Sequence, residues 1–332
     1  MRAAVVERPN QLVIKDIPKP TIKPNEVLIR VECASICNAT DNHILEGTFD
    51  GYHDFYPQVL GHEVCGVICE VGADVTNLQL GQRIALYTPN GAFQEYVPVA
   101  SDAIIAHVPD NVPSDVAAIC EMFHGTYVGM LGPARLKGTE RVLIIGAGPM
   151  GLTATALASL MAKTVCVVDY FPNRLEKAVE MGADFVYDHS KMSADEIIEA
   201  LKRDVGEIDL SCMCMALDKS PQLDAFYLAQ EITRPNGRMT GLNVEMKLSH
   251  HNHHMNPFHL NRKNIRYQHF LERPEDYDDF QRGYDLVAQG KLPMEKLITH
   301  HITLDQLPWA LDMTHNHLDQ CIKIVVDIAP KE

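Results

Sequence analysis

A glycine-rich turn stands between two apolar runs near the middle of the chain. Gly146, Gly148 and Gly151 follow the run Val142 to Ile145 with the spacing of a loop that holds a dinucleotide. The first glycine permits a tight turn, the second lets the backbone approach a pyrophosphate, and the third lets a helix pack on a strand. A helix that begins near Met150 presents free N–H groups and a favourable dipole to the phosphates. The turn therefore predicts a dinucleotide site.

An acidic residue closes the next apolar run and indicates which dinucleotide binds. Asp169 lies 18 residues past Gly151, where a carboxylate accepts bonds from ribose hydroxyls. The same carboxylate repels a 2′-phosphate, so NAD is favoured over NADP. Arg174 either holds the adenosine ribose or a phosphate, or is a solvated residue in the first turn of the next helix. The residues assigned to the cofactor are Gly146, Gly148, Pro149, Met150, Gly151, Asp169, Arg174, Gly241 and Lys323.

A second set of reactive residues lies in the first third of the chain. Cys37 is followed by Asp41 and His43, then by Gly61-His62-Glu63, and later by Glu121. One Cys, one His and a carboxylate, together with water, make an open catalytic zinc site. Lone Cys and His residues are also common in cores, so the residue types by themselves leave a structural role open.

These residues need two kinds of supporting structure. Residues 1 to about 120 contain short strand patterns separated by turns: Val27 to Val31, Val64 to Val71, Gln82 to Tyr87 and Phe93 to Val99. From about 122 to 268 strands and helices alternate, which predicts a parallel sheet with helices on both faces. The last part is predicted to be a helix from Glu275 to Gln289, a polar loop, a helix near Leu304 to Thr314 and a strand from Cys321 to Val326.

Composition limits the partners. The 332 residues suggest two domains, and a net charge of -15 argues against nucleic acid or an anionic membrane as partner. Nine Cys without a regular spacing and no secretory signal indicate free thiols and a cytoplasmic location. The uncharged stretch from Val142 to Ala162 is long enough for a membrane span, but its glycine loop indicates a buried strand and helix.

The chain resembles the zinc-dependent medium-chain dehydrogenase/reductase family along essentially its whole length. The segments that carry the resemblance are Ile36 to His43, Gly61-His62-Glu63, Glu121-Met122-Phe123, Leu297 to His300 and Ile322-Lys323-Ile324. The resemblance implies an α/β fold with a Rossmann doubly wound parallel sheet at 123–268. It also implies a β-rich GroES-like catalytic domain at 1–122, to which residues 269–332 return.

The resemblance also implies roles at the metal. Cys37 and His62 would be zinc ligands, and Glu121 occupies the third-ligand position. Glu63 would be a nearby carboxylate that exchanges with water on the metal. Asp41 would bond the far nitrogen of His62 and fix its tautomer.

Thr40 and His43 would form the proton relay, in which Thr40 takes the substrate proton and His43 passes it on. The spacing departs from the family by one inserted residue, and Ala39 stands where the ungapped alignment needs a hydroxyl. The four-Cys lobe that binds a structural zinc in many relatives is missing between Tyr87 and Gly91. We therefore expect one catalytic zinc per subunit and no structural zinc.

The predicted activity is hydride transfer between NAD and a secondary alcohol, polyol or sugar-like hydroxyl compound. The polar loop from Glu46 to Pro57 either lines the substrate site or is an ordinary surface loop, and His250 to His254 reads as a solvated loop rather than a second metal site. We expect a homodimer or homotetramer joined near Asn243 to Leu248. Two alternatives remain at this point, a zinc-free quinone or enoyl reductase on the same scaffold and a non-catalytic NAD-binding protein.

Overall fold

A computed structural model describes residues 1–48, 55–89, 91–132, 134–215, 225–242, 257–269 and 277–328. The chain forms two compact units, one of residues 1–121 with 280–332 and the other of residues 122–279. No helix among the described residues combines the length and the apolar composition that a membrane crossing requires.

The first unit is built mainly from strands. Its strands are β1 (Arg2–Arg8), β2 (Gln11–Asp16), β3 (Glu26–Ser35), β4 (Gln58–Val59), β5 (Glu63–Val71), β6 (Arg83–Tyr87), β7 (Tyr96–Ala100), β8 (Ile105–His107), β15 (Ile298–Thr303) and β16 (Lys323–Asp327). Its helices are α1 (Thr40–Glu46), α2 (Ser114–Ile119) and α10 (Leu307–Asn316), with 3-10 turns at Met294–Leu297 and Leu304–Gln306. The α3 helix (Glu121–Leu131) begins at the unit boundary, and α9 (Tyr277–Ala288) crosses it.

In the described part of this unit, the largest sheet runs in the order β15-β16-β3-β5-β6-β8, with β7 also paired to β3. β3 is central because it pairs antiparallel with β5, β7 and β16. Inward-facing apolar residues such as Val27, Ile29 and Val31 alternate along β3 and form part of a continuous core. A smaller sheet has the order β2-β1-β4.

The second unit contains a parallel sheet covered by helices. Its strands are β9 (Arg141–Ile145), β10 (Thr164–Asp169), β11 (Phe185–Asp188), β12 (Ile208–Met213), β13 (Thr233–Gly241) and β14 (Arg266–His269). Its further helices are α4 (Pro149–Ser159), α5 (Pro172–Glu180), α6 (Ala194–Asp204), α7 (Ala225–Ile232) and α8 (Pro257–Lys263). Among the described strands, each pairing is parallel and the order is β11-β10-β9-β12-β13-β14. This order reverses direction between β9 and β12, and ligands of open α/β sheets bind at the carboxyl ends of the strands at such a reversal. The predicted fold class is confirmed.

Two details of the C-terminal part differ from the prediction. The segment predicted as a polar loop contains β15, in which Ile302 is buried while its neighbours His301 and Thr303 are exposed. The polar residues of this segment hide the strand pattern in the sequence. The segment forms a strand because its backbone pairs in parallel with β16. The return to the first unit lies between residues 279 and 280 rather than at 268. The reason is that the α9 residue Tyr284 is buried and donates a hydrogen bond to the Ala117 carbonyl at 3.1 Å.

Candidate metal centre and dinucleotide loop

Three side chains with metal-binding atoms meet in the first unit. The thiol of Cys37, the imidazole of His62 and the carboxylate of Glu63 each offer one atom, and these atoms lie within 4.8 Å of one another. Cys37 follows the end of β3, and Glu63 begins β5, so the pairing of these two strands brings the ligands together. Thiolate, imidazole and carboxylate are the ordinary ligands of zinc, and the donor set fits that ion.

Asp41 connects two of these residues from the first turn of α1. Its Oδ2 accepts the backbone N–H of Cys37 at 2.9 Å. Its Oδ1 lies 3.2 Å from Nδ1 of His62, a distance within hydrogen-bonding range although the two atoms lack the alignment of a hydrogen bond. Asp41 is fully buried, so its charge acts strongly on these neighbours. The second nitrogen of His62, Nε2, faces Glu63 at 3.9 Å.

The electrostatic field at His62 favours positive charge. Burial alone would lower the pKa of His62, but the carboxylate of Asp41 and the thiol of Cys37 outweigh it and raise that pKa well above 6.5. Negative groups that favour positive charge at a buried imidazole also favour a divalent cation beside it. The surroundings of the three candidate ligands therefore fit a metal ion.

The residue before His62 must be glycine. Gly61 has φ +90°, and a Cβ there would lie 2.8 Å from the ring of Phe93. The carbonyl of His62 accepts the backbone N–H of Thr88 at 2.8 Å, and its ring centroid lies 5.1 Å from that of Tyr87. Close packing on both sides thus fixes the position of the imidazole.

Glu63 is held by two buried partners that the sequence did not identify. Ser35 donates a hydrogen bond from Oγ to Oε2 of Glu63, and Nζ of Lys323 lies 2.8 Å from Oε1 and 2.6 Å from Oε2. Lys323 also donates to the Ile36 carbonyl at 2.8 Å. Burial alone would lower the pKa of Lys323, but Glu63 and the other negative groups nearby raise it. The sequence assigned Lys323 to the cofactor, whereas the structure places its ammonium group beside Glu63 of the candidate metal centre.

The other residues predicted for this centre lie outside the group formed by Cys37, His62 and Glu63. Glu121 begins α3, is half-buried and lies outside the group of three ligand atoms, although its charge contributes to the raised pKa of Lys323. Thr40 is the first residue of α1 and is half-buried. Nδ1 of His43 lies 3.0 Å from Oγ1 of Thr48, a contact that the sequence did not predict.

In the second unit, the glycine loop has the geometry that its spacing predicts. Gly146 has φ +97°, and a Cβ on it would lie 3.0 Å from Met215. A Cβ on Gly151 would lie 1.8 Å from the Gly146 carbonyl oxygen, so close packing excludes any side chain there. Among the described residues, a Cβ on Gly148 would meet only Arg174, at 3.7 Å, so this part of the chain leaves open space at the glycine. That opening, at the N-cap of α4, fits the approach of a pyrophosphate.

Asp169 and Arg174 lie beside this loop. Asp169 is buried, and its two oxygens accept the backbone N–H groups of Ala147 at 2.6 Å and of Phe171 at 2.8 Å. Arg174 is buried rather than solvated, and its guanidinium lies 5.0 Å from the centroid of the Phe171 ring. Both charged groups therefore lie against the glycine loop.

The other assigned cofactor residues lie at the expected ends of their elements. Pro149 and Met150 form the first turn of α4, and Oγ1 of Thr126 donates to Sδ of Met150 at 2.8 Å. Gly241 is the last residue of β13 and is buried. The segment His250 to His254, the expected subunit contact at Asn243 to Leu248 and the middle of the Glu46 to Pro57 loop lie outside the described residues.

Comparison with known proteins identifies both units. The family model described as an alcohol dehydrogenase GroES-like domain matches residues 23–110, and that of a zinc-binding dehydrogenase matches residues 149–289. The chain is 28% identical to the sorbitol dehydrogenase of Bacillus subtilis over 98% of this chain and 97% of that protein. It is 29% identical to an L-threonine 3-dehydrogenase of Rhizobium rhizogenes, with 92% of each covered.

A solved structure agrees with these matches. An alcohol dehydrogenase (rspB) from Escherichia coli CFT073, in complex with NADH, superposes with a TM-score of 0.83 and is 26% identical. The superposition covers 98% of this chain and 99% of that one.

Proposed function

Because the chain belongs to the zinc-dependent medium-chain alcohol and polyol dehydrogenase family, we propose that it oxidises a secondary alcohol, polyol or sugar-like hydroxyl compound with NAD, or catalyses the reverse reduction. The observation that carries the proposal is the meeting of Cys37, His62 and Glu63 within 4.8 Å. A zinc-free reductase has no need of a thiol, an imidazole and a carboxylate at one point.

The residues of the proposed metal centre have different roles. Zinc held by Cys37 and His62, with Glu121 or Glu63 in the third position, would act as a Lewis acid on the substrate oxygen. Asp41 holds the Cys37 backbone through a hydrogen bond and acts on His62 through its charge at 3.2 Å. Thr40 would take the hydroxyl proton and give its own proton to His43, which would release a proton to solvent.

The proposed preference for NAD rests on Asp169. Its two oxygens each accept one backbone N–H, which holds the group as an oriented carboxylate. A carboxylate oxygen has two acceptor sites, so one site on each oxygen remains for the ribose hydroxyls. The buried negative charge opposes a 2′-phosphate.

The zinc content and the substrate are finer parts of the proposal. We propose one catalytic zinc per chain and no structural zinc, since the segment between Tyr87 and Gly91 has no Cys. The names of the sorbitol and threonine dehydrogenase relatives support a substrate with a secondary hydroxyl. We further propose a cytoplasmic homodimer or homotetramer that acts on small molecules and binds neither nucleic acid nor membranes.

Metal analysis and a panel of alcohols and polyols test the function. The purified protein should hold about one zinc per chain and produce NADH absorbance with a member of the panel. Cys37→Ser should lose both zinc and turnover while remaining folded. Cys69→Ser, a half-buried thiol on β5, is the matched control and should keep both. An active wild-type protein without zinc would refute the metal assignment. A zinc-containing protein that oxidises no hydroxyl compound of the panel would refute the proposed enzymatic activity.

A further inference from the structure

A buried hydroxyl holds one oxygen of the carboxylate beside the metal ligands. Ser35 is the last residue of β3, and Glu63, the first residue of β5, is its direct partner across the antiparallel pair. Both side chains are buried, with Ser35 at 0% and Glu63 at 1% exposure. The hydroxyl of Ser35 donates to Oε2 of Glu63. The hydroxyl at the end of β3 therefore forms a hydrogen bond with the buried carboxylate of Glu63.

The two oxygens of Glu63 have different surroundings. Oε1 lies 3.9 Å from Nε2 of His62 and so faces the metal ligands. Oε2 faces Ser35, while the ammonium group of Lys323 lies within 2.8 Å of both oxygens. The second acceptor near Ser35 is the Ala118 carbonyl at 3.3 Å, and a hydroxyl with one proton favours the charged acceptor. The carboxylate is thus fixed in rotation by the serine and neutralised by the lysine.

We propose that Ser35 is a positioning residue that keeps Glu63 out of the permanent ligand set of the metal. The inference rests on the proposed zinc centre. The hydroxyl stabilises the negative charge on Oε2 and ties the carboxylate to β3, which weakens Glu63 as a ligand and leaves a coordination position for substrate. Without the hydroxyl, only Lys323 holds the carboxylate of Glu63. The carboxylate then rotates toward the metal and becomes a persistent ligand.

The test replaces Ser35 and measures the metal as well as the activity. In Ser35→Ala, release of zinc to a chelator should slow about tenfold, the effect of one charge-assisted hydrogen bond. The visible absorption spectrum of the cobalt(II)-substituted protein should change, because a carboxylate would replace the exchangeable ligand of the metal. The kcat/KM for the alcohol should fall about tenfold with little change in the KM for NAD, since the added ligand competes with the substrate for the metal and not with the cofactor.

Two variants serve as controls. Ser35→Thr keeps the hydroxyl and should restore the wild-type cobalt spectrum and zinc release. Ser211→Ala removes another buried hydroxyl, one that contacts Thr233 in the second unit, and should change neither quantity. If threonine does not fold at this site, the comparison of the two alanine variants decides the matter.

The outcomes separate this inference from the proposed function. An unchanged cobalt spectrum and release rate in Ser35→Ala overturns the role of Ser35 and leaves the zinc centre intact. Faster zinc loss in Ser35→Ala also overturns it, because Ser35 would then support a Glu63 that is already a ligand. A wild-type protein that binds neither zinc nor cobalt overturns the proposed function, and the inference with it.

Discussion

Replacing Asp169 by Asn removes a charge and one acceptor from the cofactor loop while keeping the shape of the side chain. The carboxylate accepts the Ala147 and Phe171 N–H groups at 2.6 and 2.8 Å, one on each oxygen. An amide has a single acceptor oxygen, so one of these N–H groups must face an NH₂ group. A buried donor without an acceptor costs about 1–3 kcal/mol, and the bond that remains loses about 1 kcal/mol of charge assistance. We expect the free energy of unfolding to fall by about 2–4 kcal/mol.

The cofactor preference should change in the same variant. The neutral amide no longer repels a 2′-phosphate, so the ratio of kcat/KM with NAD to kcat/KM with NADP should fall about tenfold or more, equivalent to at least about 1.4 kcal/mol. Chemical denaturation gives the loss of stability, and initial rates with each cofactor give the ratio. Weaker binding of both cofactors is expected, because Ala147 belongs to the glycine loop.

Asp188→Asn is a matched control. Asp188 is the direct neighbour of Asp169 on the adjacent parallel strand, but its partners Ser190 and Lys191 are exposed. Loss of such a surface ion pair costs about 0–1 kcal/mol, and the cofactor ratio should not move. Equal stability of Asp169→Asn and the wild type would show that the two backbone bonds do not form. An unchanged cofactor ratio would show that the carboxylate does not face the adenosine ribose.

Three further outcomes follow from the described contacts. Gly61→Ala should lower the free energy of unfolding by about 2–4 kcal/mol, because it adds a clash with Phe93 to the strain of a positive φ. Gly81 has φ +82° and no atom of the described residues within 4 Å of its Cβ, so Gly81→Ala should show the strain alone, about 1–2 kcal/mol, by urea denaturation. Burial alone would raise the pKa of Asp209, but a backbone N–H and a guanidinium lower it below 3.8, so the carboxylate should stabilise the protein above pH 3.8 and less as the pH falls further. The difference in stability between the wild type and Asp209→Asn, measured by denaturation from pH 7 to pH 3, should therefore shrink as the pH falls. A constant difference would contradict the assignment. Ser193→Ala should remove a capping box from α6 and lower the free energy of unfolding by about 1 kcal/mol, and no loss in the same measurement would mean that the cap is not formed in solution.

Local patterns in the sequence predict most of the second unit. An apolar run such as β9 has no polar face because helices cover the sheet on both sides, and its length and the glycine turn after it indicate a strand. In the first unit β15 escapes prediction, since its alternation of Ile with His and Thr resembles a polar loop until β16 pairs with it. A strand at the edge of a sheet needs few apolar residues, and composition therefore says little about it.

The candidate site shows the same division between local and distant contacts. Cys37, His62 and Glu63 stand in recognisable short motifs, and the sequence predicts them, together with Glu121, as members of one metal centre. The contacts of Glu63 were not predicted, because Ser35 is 28 residues away and Lys323 is 260 residues away. Only the register of β3 against β5 and β16 brings these residues together. Register depends on the packing of a whole sheet, which no short window of sequence contains.

Asp41 shows how the two kinds of contact combine at one residue. Its bond to the Cys37 backbone spans four residues, and the start of α1 is sufficient to form it. Its approach to His62 requires that β5 be paired with β3, because that pairing carries Gly61, His62 and Glu63 to the end of β3 where Cys37 begins the turn. One buried carboxylate therefore contacts a candidate ligand that the local chain supplies and a candidate ligand that the sheet supplies. The candidate metal centre is complete only when both the turn and the sheet have formed, and for this reason the short motifs predict its members but not its geometry.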